Sequence, residues 1–429
     1  MDQDLGRNTI RTVVWHLMPI LLLAYLVNYI DRINIGFAGA SLRHDLNISN
    51  TVFGTAAGLF FISYFLFEVP SNLILERIGA RRWIARIMVT WGLLSVGMIF
   101  VQGVWSFYLL RFLLGMAEAG FFPGIIFYLV CWFPNAYRTK LMALFAVGIP
   151  LSTVIGAPLS GVFLSMNGIW GLPGWQWMFI LEGLPAVILG VVIFFYLPDR
   201  PAEAKWLSGE QKQWLEGALA ADPTRPKRSH LGDTLHSFYD PRVLAMAFIY
   251  LCNTSANFSL TFFLPQIVGK MGLSQQQTLL LVAIPALMGV LGLLVIGWLS
   301  NRFGNRPLLI ICLLITGLGL GAASLFGAGG ASVIGIAALS FAGFGIHSLK
   351  SPFWALAPLT LSASAAAGGI AWINSVGNLG GFFGPSVMGW LTDLFDGNYQ
   401  AGILVLACVQ LAAIIVTIFL RPRAGTEAA

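Results

Sequence analysis

Glu76-Arg77-Ile78-Gly79-Ala80-Arg81 joins two long apolar runs in the first half of the chain, and Asn301-Arg302-Phe303-Gly304-Asn305-Arg306 joins two in the second. Each keeps Arg-x-Gly-x-Arg. Each follows the second apolar run of its half. Two chance basic loops would account for the charge but not for the matched glycines. A second echo supports the pairing: the fifth run carries Gly156-Ala157-Pro158 and the eleventh carries Gly384-Pro385. The chain therefore reads as two parallel repeats related by an axis along a membrane normal, an architecture that transporters use.

A membrane crossing needs about 20 mostly apolar residues. Counting by that rule predicts helices near 14–37, 52–74, 83–101, 107–130, 141–164 and 177–197, then near 243–266, 277–299, 307–327, 332–355, 366–391 and 400–420. The expected fold is an all-α membrane protein with twelve crossings in two pseudo-symmetric six-helix bundles, residues 1–197 and 242–429. The polar stretch between them, 198–241, holds Glu203, Lys205, Glu210, Lys212, Glu216, Lys227 and Arg228. It reads as a solvated linker with one surface helix from Gly209 to Ala221.

Composition agrees. Of 429 residues, 57% are hydrophobic and 10% charged, with a mean hydropathy of +0.81. Soluble domains carry about 25% charged residues, so lipid is the solvent for most of this chain. The net charge of +6 does not indicate a nucleic-acid partner, because the basic residues sit in short loops. Arg7, Arg11, Arg77, Arg81, Arg82, Arg86, Arg138, Lys140, Arg302, Arg306, Arg421 and Arg423 fall on one side, against Arg43 and Lys270 on the other. That bias places both termini and the linker in the cytoplasm. The first apolar run is too long, and too charged inside, for a cleaved signal. Cys131, Cys252, Cys312 and Cys408 have no spacing suited to a disulfide framework or a metal. No Walker sequence and no nucleophile constellation is present, so neither a cofactor nor an enzyme activity is expected.

The charges inside the crossings are the functional candidates. They are Asp31 and Arg32 in the first, Glu68 in the second, Arg111 and Glu118 in the fourth and Lys350 in the tenth. Each costs about 2.5–3.5 kcal/mol at a helix centre on insertion scales, so each must face water or a partner. Tyr25, Tyr29 and Arg32 share one helix face, and Asp31 lies about 100° round. Arg111 and Glu118 share a face two turns apart. If both faces point inward, two guanidiniums and two carboxylates line one cavity, a site for an organic anion and a proton. A structural intramembrane ion bridge, Arg111 with Glu118 or Asp31 with Arg32, is the lesser alternative for each pair. Glu68 reads as reaching headgroups or a loop arginine. In the second half His347, Lys350, Ser351 and Trp354 recur at helical spacing, as do Asn374 and Asn378. Arg77, Gly79, Arg81 and Arg82, with Arg302, Gly304 and Arg306, read as a cytoplasmic gate of tight turns and helix-capping arginines.

Asn28-Tyr29-Ile30-Asp31-Arg32-Ile33-Asn34-Ile35-Gly36, the run from Gly58 to Asn72, Arg77-Ile78-Gly79-Ala80-Arg81-Arg82, and Arg111 through Gly124 together resemble the major facilitator superfamily, and within it the bacterial anion:cation symporter family. That resemblance implies import of organic acids such as tartrate, phthalate, hydroxyphenylacetate or sugar acids with protons across the inner membrane, by a protein expected to be monomeric. It implies Asp31 and Glu118 as proton-linked carboxylates and Arg32 and Arg111 as anion contacts, with Tyr29, Tyr64, Ser351, Trp354 and Asn374 lining the cavity. Gly148-Ile149-Pro150 stands where sugar-acid members have a glutamine, and Lys350 has no place in the family pattern. Export or exchange of the same anions is the alternative, and a non-transporting membrane sensor is a further one.

Overall fold

The computed structural model describes residues 2–222, 240–326, 332–360 and 366–420. Lys227, Arg228, Arg421 and Arg423 lie outside them. Among the described residues every long element is a helix, as lipid requires: a backbone with no water to bond must satisfy its own N–H and C=O groups. The first set is α1 (Asp2–Leu46), α2 (Asn50–Ile78), α3 (Ala80–Gly97), α4 (Val104–Glu118), α5 (Phe121–Trp132), α6 (Asn135–Leu164) and α7 (Gly174–Tyr196). The surface helix α8 (Gly209–Ala220) follows. The second set is α9 (Pro241–Gly269), α10 (Gln275–Phe303), α11 (Asn305–Phe326), α12 (Val333–Ser348), α13 (Lys350–Thr360), α14 (Ala366–Asn378), α15 (Gly380–Leu394) and α16 (Gln400–Phe419). Among the described residues eleven paths are long and apolar enough to cross a membrane, with α4 continuing through α5 and α12 into α13. The twelfth is made of α14 and α15 in succession. The expected twelve-crossing, all-helical fold is what the chain forms.

Three of those crossings are interrupted. Between α4 and α5, Ala119 is extended and Gly120 takes φ 89°, ψ 0°, a left-handed backbone that glycine adopts freely. The Ala119 carbonyl that the break releases accepts from Ser71 Oγ at 2.6 Å, and Ser71 Oγ accepts in turn from Trp83 Nε1 at 2.9 Å. Between α12 and α13, Pro352 has no N–H to give the Ser348 carbonyl. The interruptions in the fourth and tenth crossings leave a charged residue at each break, Glu118 as the last of α4 and Lys350 as the first of α13.

The two matched loops share a backbone as well as a sequence. Gly79 has φ 98°, ψ 149° and Gly304 has φ 75°, ψ 158°, so both glycines sit where a side chain would be strained. Their arginines act differently. Arg306 donates to the carbonyls of Thr417 and Ile418 at the end of α16, a helix-capping contact. Arg81 instead pairs with Asp199, Nε to Oδ2 at 3.1 Å. Arg302 lies over the Trp298 ring at 4.1 Å, while Arg77 and Arg82 are exposed. The described part of the linker docks on the first set: Trp206 stacks on His16 at 4.3 Å, and Arg138 holds Asp222 at 2.8 Å.

The two sets meet along α1 with α9, α2 with α15, and α6 with α10. Contact is tight at the end of the molecule away from the arginine-rich loops. There, a Cβ on Gly54 would strike the Pro385 carbonyl, and one on Gly389 the Asn50 carbonyl. Asp393, in the last turn of α15, accepts from Asn50 N (3.1 Å) and Nδ2 (2.7 Å) and from Thr51 N (2.7 Å) and Oγ1 (2.6 Å). A carboxylate thus caps the positive end of α2 across the boundary. The sets are latched at one end; at the other, arginine-rich end, α2 and α14 approach only slightly, bridged by Ser375 donating to Glu68. Each charge-assisted hydrogen bond is worth about 1.5–3 kcal/mol, so Asp393→Ala should weaken this closure about tenfold or more. Spin labels at Gln102 and Gln275 should then report a longer-distance population that the unsubstituted chain lacks; an unchanged distribution would remove Asp393 from the latch.

Candidate functional site

On the α1 stripe, Tyr25 packs against Phe122 of α5 and Phe145 of α6, a turn from Tyr29 and two from Arg32. Tyr25 and Tyr29 are 5.9 Å apart, centre to centre. The Arg32 guanidinium lies 5.5 Å from the Tyr29 ring, 5.3 Å from Phe60 and 5.2 Å from Tyr64. Three aromatic faces around a cation partly replace its hydration. The counter-charge comes from the helix break. Arg32 Nε donates to Glu118 Oε1 at 2.9 Å, and Nη2 reaches the same oxygen. The Arg32 side chain is 14% exposed and Glu118 is 0%. An incoming solute therefore meets the guanidinium and not the carboxylate.

The other first-half candidates are placed differently from the sequence expectation. Arg111 has no exposure. Its Nη2 donates to the Ala57 carbonyl at 3.1 Å and its Nε to Ala56 at 3.4 Å. It lies 5.2 Å from the far side of the cage, the Phe60 ring, and Nη1 has no partner. Arg111 is thus not a wall of the cavity in this conformation but a buried cation bonded to α2. Asp31 is equally sealed. It accepts from Ser95 Oγ and from Asn34 Nδ2, the latter at 3.1 Å, and so points at α3. The expected four-charge cavity resolves into one partly exposed guanidinium, Arg32, with Glu118 sealed against it and a further buried layer behind. The physical reason is the helix: one residue's step turns Asp31 away from the face that carries Arg32. Glu68 reaches neither headgroups nor a loop arginine; its Oε2 accepts from Ser375 of α14 at 2.9 Å, across the boundary.

In the second set, Tyr250 of α9 stacks on Phe353 at 5.2 Å and meets the edge of Trp354 at 5.3 Å. Trp354, Lys350, Ser351 and Asn374 are all half-buried. Ser351 turns toward α10, 3.7 Å from the Cβ position of Gly297, so it does not share the Trp354 face. His347 packs against Gly289 and its Nδ1 is buried without a partner. Lys350 forms no ion pair with any described residue. Asn253 is fully buried with both amide atoms unpartnered.

Two residues escaped the sequence reading. Tyr250 is one more aromatic residue in an apolar run and carries no local signal. Glu182 did carry one, a lone carboxyl in Phe179-Ile180-Leu181-Glu182-Gly183-Leu184. It is buried in α7 and accepts from Ser160 Oγ at 2.6 Å. Among the described residues no group of three or more His, Cys, Asp or Glu could hold a metal.

Two helical sets closed around a reachable buried cation define a secondary-transporter architecture. The chain belongs to the Major Facilitator Superfamily, whose profile matches residues 21–385. It is 46% identical over 423 residues to an Agrobacterium vitis protein named "Putative tartrate transporter", covering 98% of this chain and 96% of that one. It is 44% identical over 421 residues to the "Quinolone resistance transporter" of Acinetobacter baumannii, covering 96% and 95%. In fold it resembles a D-xylose-proton symporter, with a TM-score of 0.76 at 17% identity over 95% of this chain and 98% of that one. These relatives are transporters, and the chain is one of their kind rather than an enzyme.

Breaking a buried ion pair from one side strands the other charge. Arg32→Gln and Glu118→Gln should each lower the melting temperature in detergent, and the double variant should lose less than the two losses summed. A coupling energy of about 1–3 kcal/mol is expected in this cycle; additive losses would show that the pair does not act as one.

Proposed function

We propose that this protein imports a small organic anion, an aromatic or hydroxy carboxylate, together with protons by alternating access. The observation that carries the reading is the single reachable guanidinium at mid-membrane, Arg32, held by a sealed carboxylate that a substrate carboxylate would have to displace. Arginine suits a carboxylate because its planar fork offers parallel N–H donors. When an anion takes those donors, Glu118 loses its counter-charge. A carboxylate left alone at that depth is costly, so it accepts a proton. Binding of anion and proton are thereby linked without direct contact between them.

Lys350 supplies a second cation from the other set, and Tyr29, Tyr64, Trp354 and Asn374 line the space between. Ser351 takes a supporting place beside α10. Asp31 serves as the second proton-linked carboxylate, and Arg111 acts on the site from behind Phe60. The two bundles, 1–197 and 242–429, rock about this site, with 198–241 as their tether. The excess of Lys and Arg in one set of loops assigns the arginine-rich end to the cytoplasm and the latched end to the outside. Arg77, Gly79, Arg81 and Arg82, with Arg302, Gly304 and Arg306, form the hinge-and-cap elements of the cytoplasmic gate. The name of the Agrobacterium vitis relative supports tartrate as the first compound to try. The quinolone-resistance name of the Acinetobacter baumannii relative favours a second reading, export of an organic anion against protons.

Purified protein in liposomes decides between them. Tartrate, a phthalate and a sugar acid are offered outside, with the inside made alkaline. Import predicts accumulation that rises as external pH falls and that an uncoupler abolishes. Arg32→Gln should cut it about a hundredfold, the loss expected for a buried charge-assisted pair. Uptake by that variant at the unsubstituted rate would sink the assignment of Arg32. Efflux driven by the opposite gradient, without import, would select the export reading.

A further inference from the structure

The interior of the first bundle holds an uneven set of charges. Apart from Glu68, which turns to Ser375 of the other set, three carboxyls, Asp31, Glu118 and Glu182, are buried there, against the two guanidiniums of Arg32 and Arg111. Glu118 is bonded to Arg32, and Arg111 acts electrostatically on Asp31. Glu182 has no cation. From α1 it faces Asp31 and Asn34, and from α6 it faces Ser160. From α3, Ser95 packs against the following residue, its Cβ 3.1 Å from the Cβ position of Gly183, and Trp91 Nε1 is buried without a partner. No arginine, lysine or histidine stands among these. With all three carboxyls ionised the interior would keep one surplus negative charge, and an unpaired carboxylate in such a place is the costliest arrangement available.

Besides Glu118 Oε2, which adjoins Arg32, spare acceptor capacity gathers in a second spot. Glu182 Oε2, Asp31 Oδ2 and Asn34 Oδ1 are all buried without a partner, and these residues are 4%, 0% and 1% exposed. Native interiors leave few such atoms unmet. Two of these oxygens belong to carboxyls, and a proton on either would have an acceptor in the other carboxyl or in Asn34 Oδ1. Position gives a direction. Glu182 stands about two turns into α7 from its Gly174 end, and Asp31 about four turns into α1 from its Leu46 end. Both of those helix ends are at the latched side. Glu182 is therefore the shallower of the two carboxyls, and Asp31 the one nearer the Arg32–Glu118 site.

We propose that Glu182 is the outer proton carrier of this transporter: it holds a proton while the site is empty and passes it to Asp31 when an anion claims Arg32. The inference rests on the proton-coupled reading above. In the transfer the O–H bond at Glu182 Oε2 breaks and one forms at Asp31 Oδ2. One proton moves, and the pair keeps a single negative charge before and after. Asn34, bonded to Asp31 and facing Glu182, holds the two carboxyls to one place. Glu182, the shallower carboxyl, is refilled from the outer side when that end opens, so that proton and anion enter from the same side, as alternating access requires.

Glu182→Gln copies the shape of the protonated acid and should fold. Infrared spectra of the purified full chain at neutral pH should lose one acid C=O stretch in this variant, and Glu182→Asp should shift that band without removing it. In liposomes with tartrate as the probe, Glu182→Gln should retain exchange at equal pH within about twofold while gradient-driven accumulation falls about tenfold and its dependence on external pH flattens. An unchanged acid band overturns the proposal, because Glu182 is then ionised. A lost band with an unaltered pH profile, or equal loss of exchange and accumulation, also overturns it, since the residue is then only structural. An unsubstituted protein that ignores the pH gradient refutes proton coupling itself, a result read without any variant.

Discussion

A guanidinium at bilayer depth has to be solvated by the protein, and the way this chain solvates Arg32 organises the rest of the molecule. Three aromatic faces and one carboxylate do it. Each demands something of the backbone. Tyr29 must lie a turn from Arg32 on α1. Phe60 and Tyr64 must share a face of α2. Glu118 must reach the pair from α4, and it does so at the residue where that helix stops. The break at Gly120 therefore belongs to the site, because it ends α4 at the carboxylate, and Ser71 satisfies the carbonyl that the break exposes. The tenth crossing repeats the device with Lys350 beside the Pro352 interruption, so the broken helices of both halves bring charge to the same layer.

Behind the partly exposed Arg32 lies a layer that no solute touches. Arg111 bonds to α2 carbonyls, Asp31 to Ser95 and Asn34, and Glu182 to Ser160. Such groups do not recognise a substrate by contact. They set the charge that the reachable layer must balance. A change of charge at Arg32 would be felt by Glu118 first and by the sealed carboxylates next, through fields that a low-dielectric interior screens weakly. The Phe60 ring touches both layers, 5.3 Å from the Arg32 guanidinium and 5.2 Å from that of Arg111.

The closure at one end has the same logic at larger scale. Glycines at Gly54, Gly58 and Gly389 let α2 and α15 meet backbone to backbone, and Asp393 supplies the charge that fastens them. Contacts of this kind are short-ranged and all made or all lost together, so the two bundles have discrete arrangements rather than a continuum. The matched glycines Gly79 and Gly304 sit at the other end, where α2 and α14 approach only slightly.

Much of this was written in the order of the residues. Hydropathy alone forced the helices, because lipid offers no other partner for the backbone. Matched Arg-x-Gly-x-Arg loops exposed the repeat, and charges inside apolar runs marked Asp31, Arg32, Arg111, Glu118 and Lys350, because each is too costly to be idle. Spacing could say that Asp31 and Arg32 face different ways, but not which way was the cavity. That depended on the rotation of α1 against α3 and α2, a matter of packing between distant segments. The same packing paired Glu118 with Arg32 instead of Arg111, turned Ser351 toward α10, and carried Glu68 to Ser375. Sequence determines which groups must find partners in the membrane; only the assembled helices decide which partners they find, since every such bond is made between residues far apart along the chain.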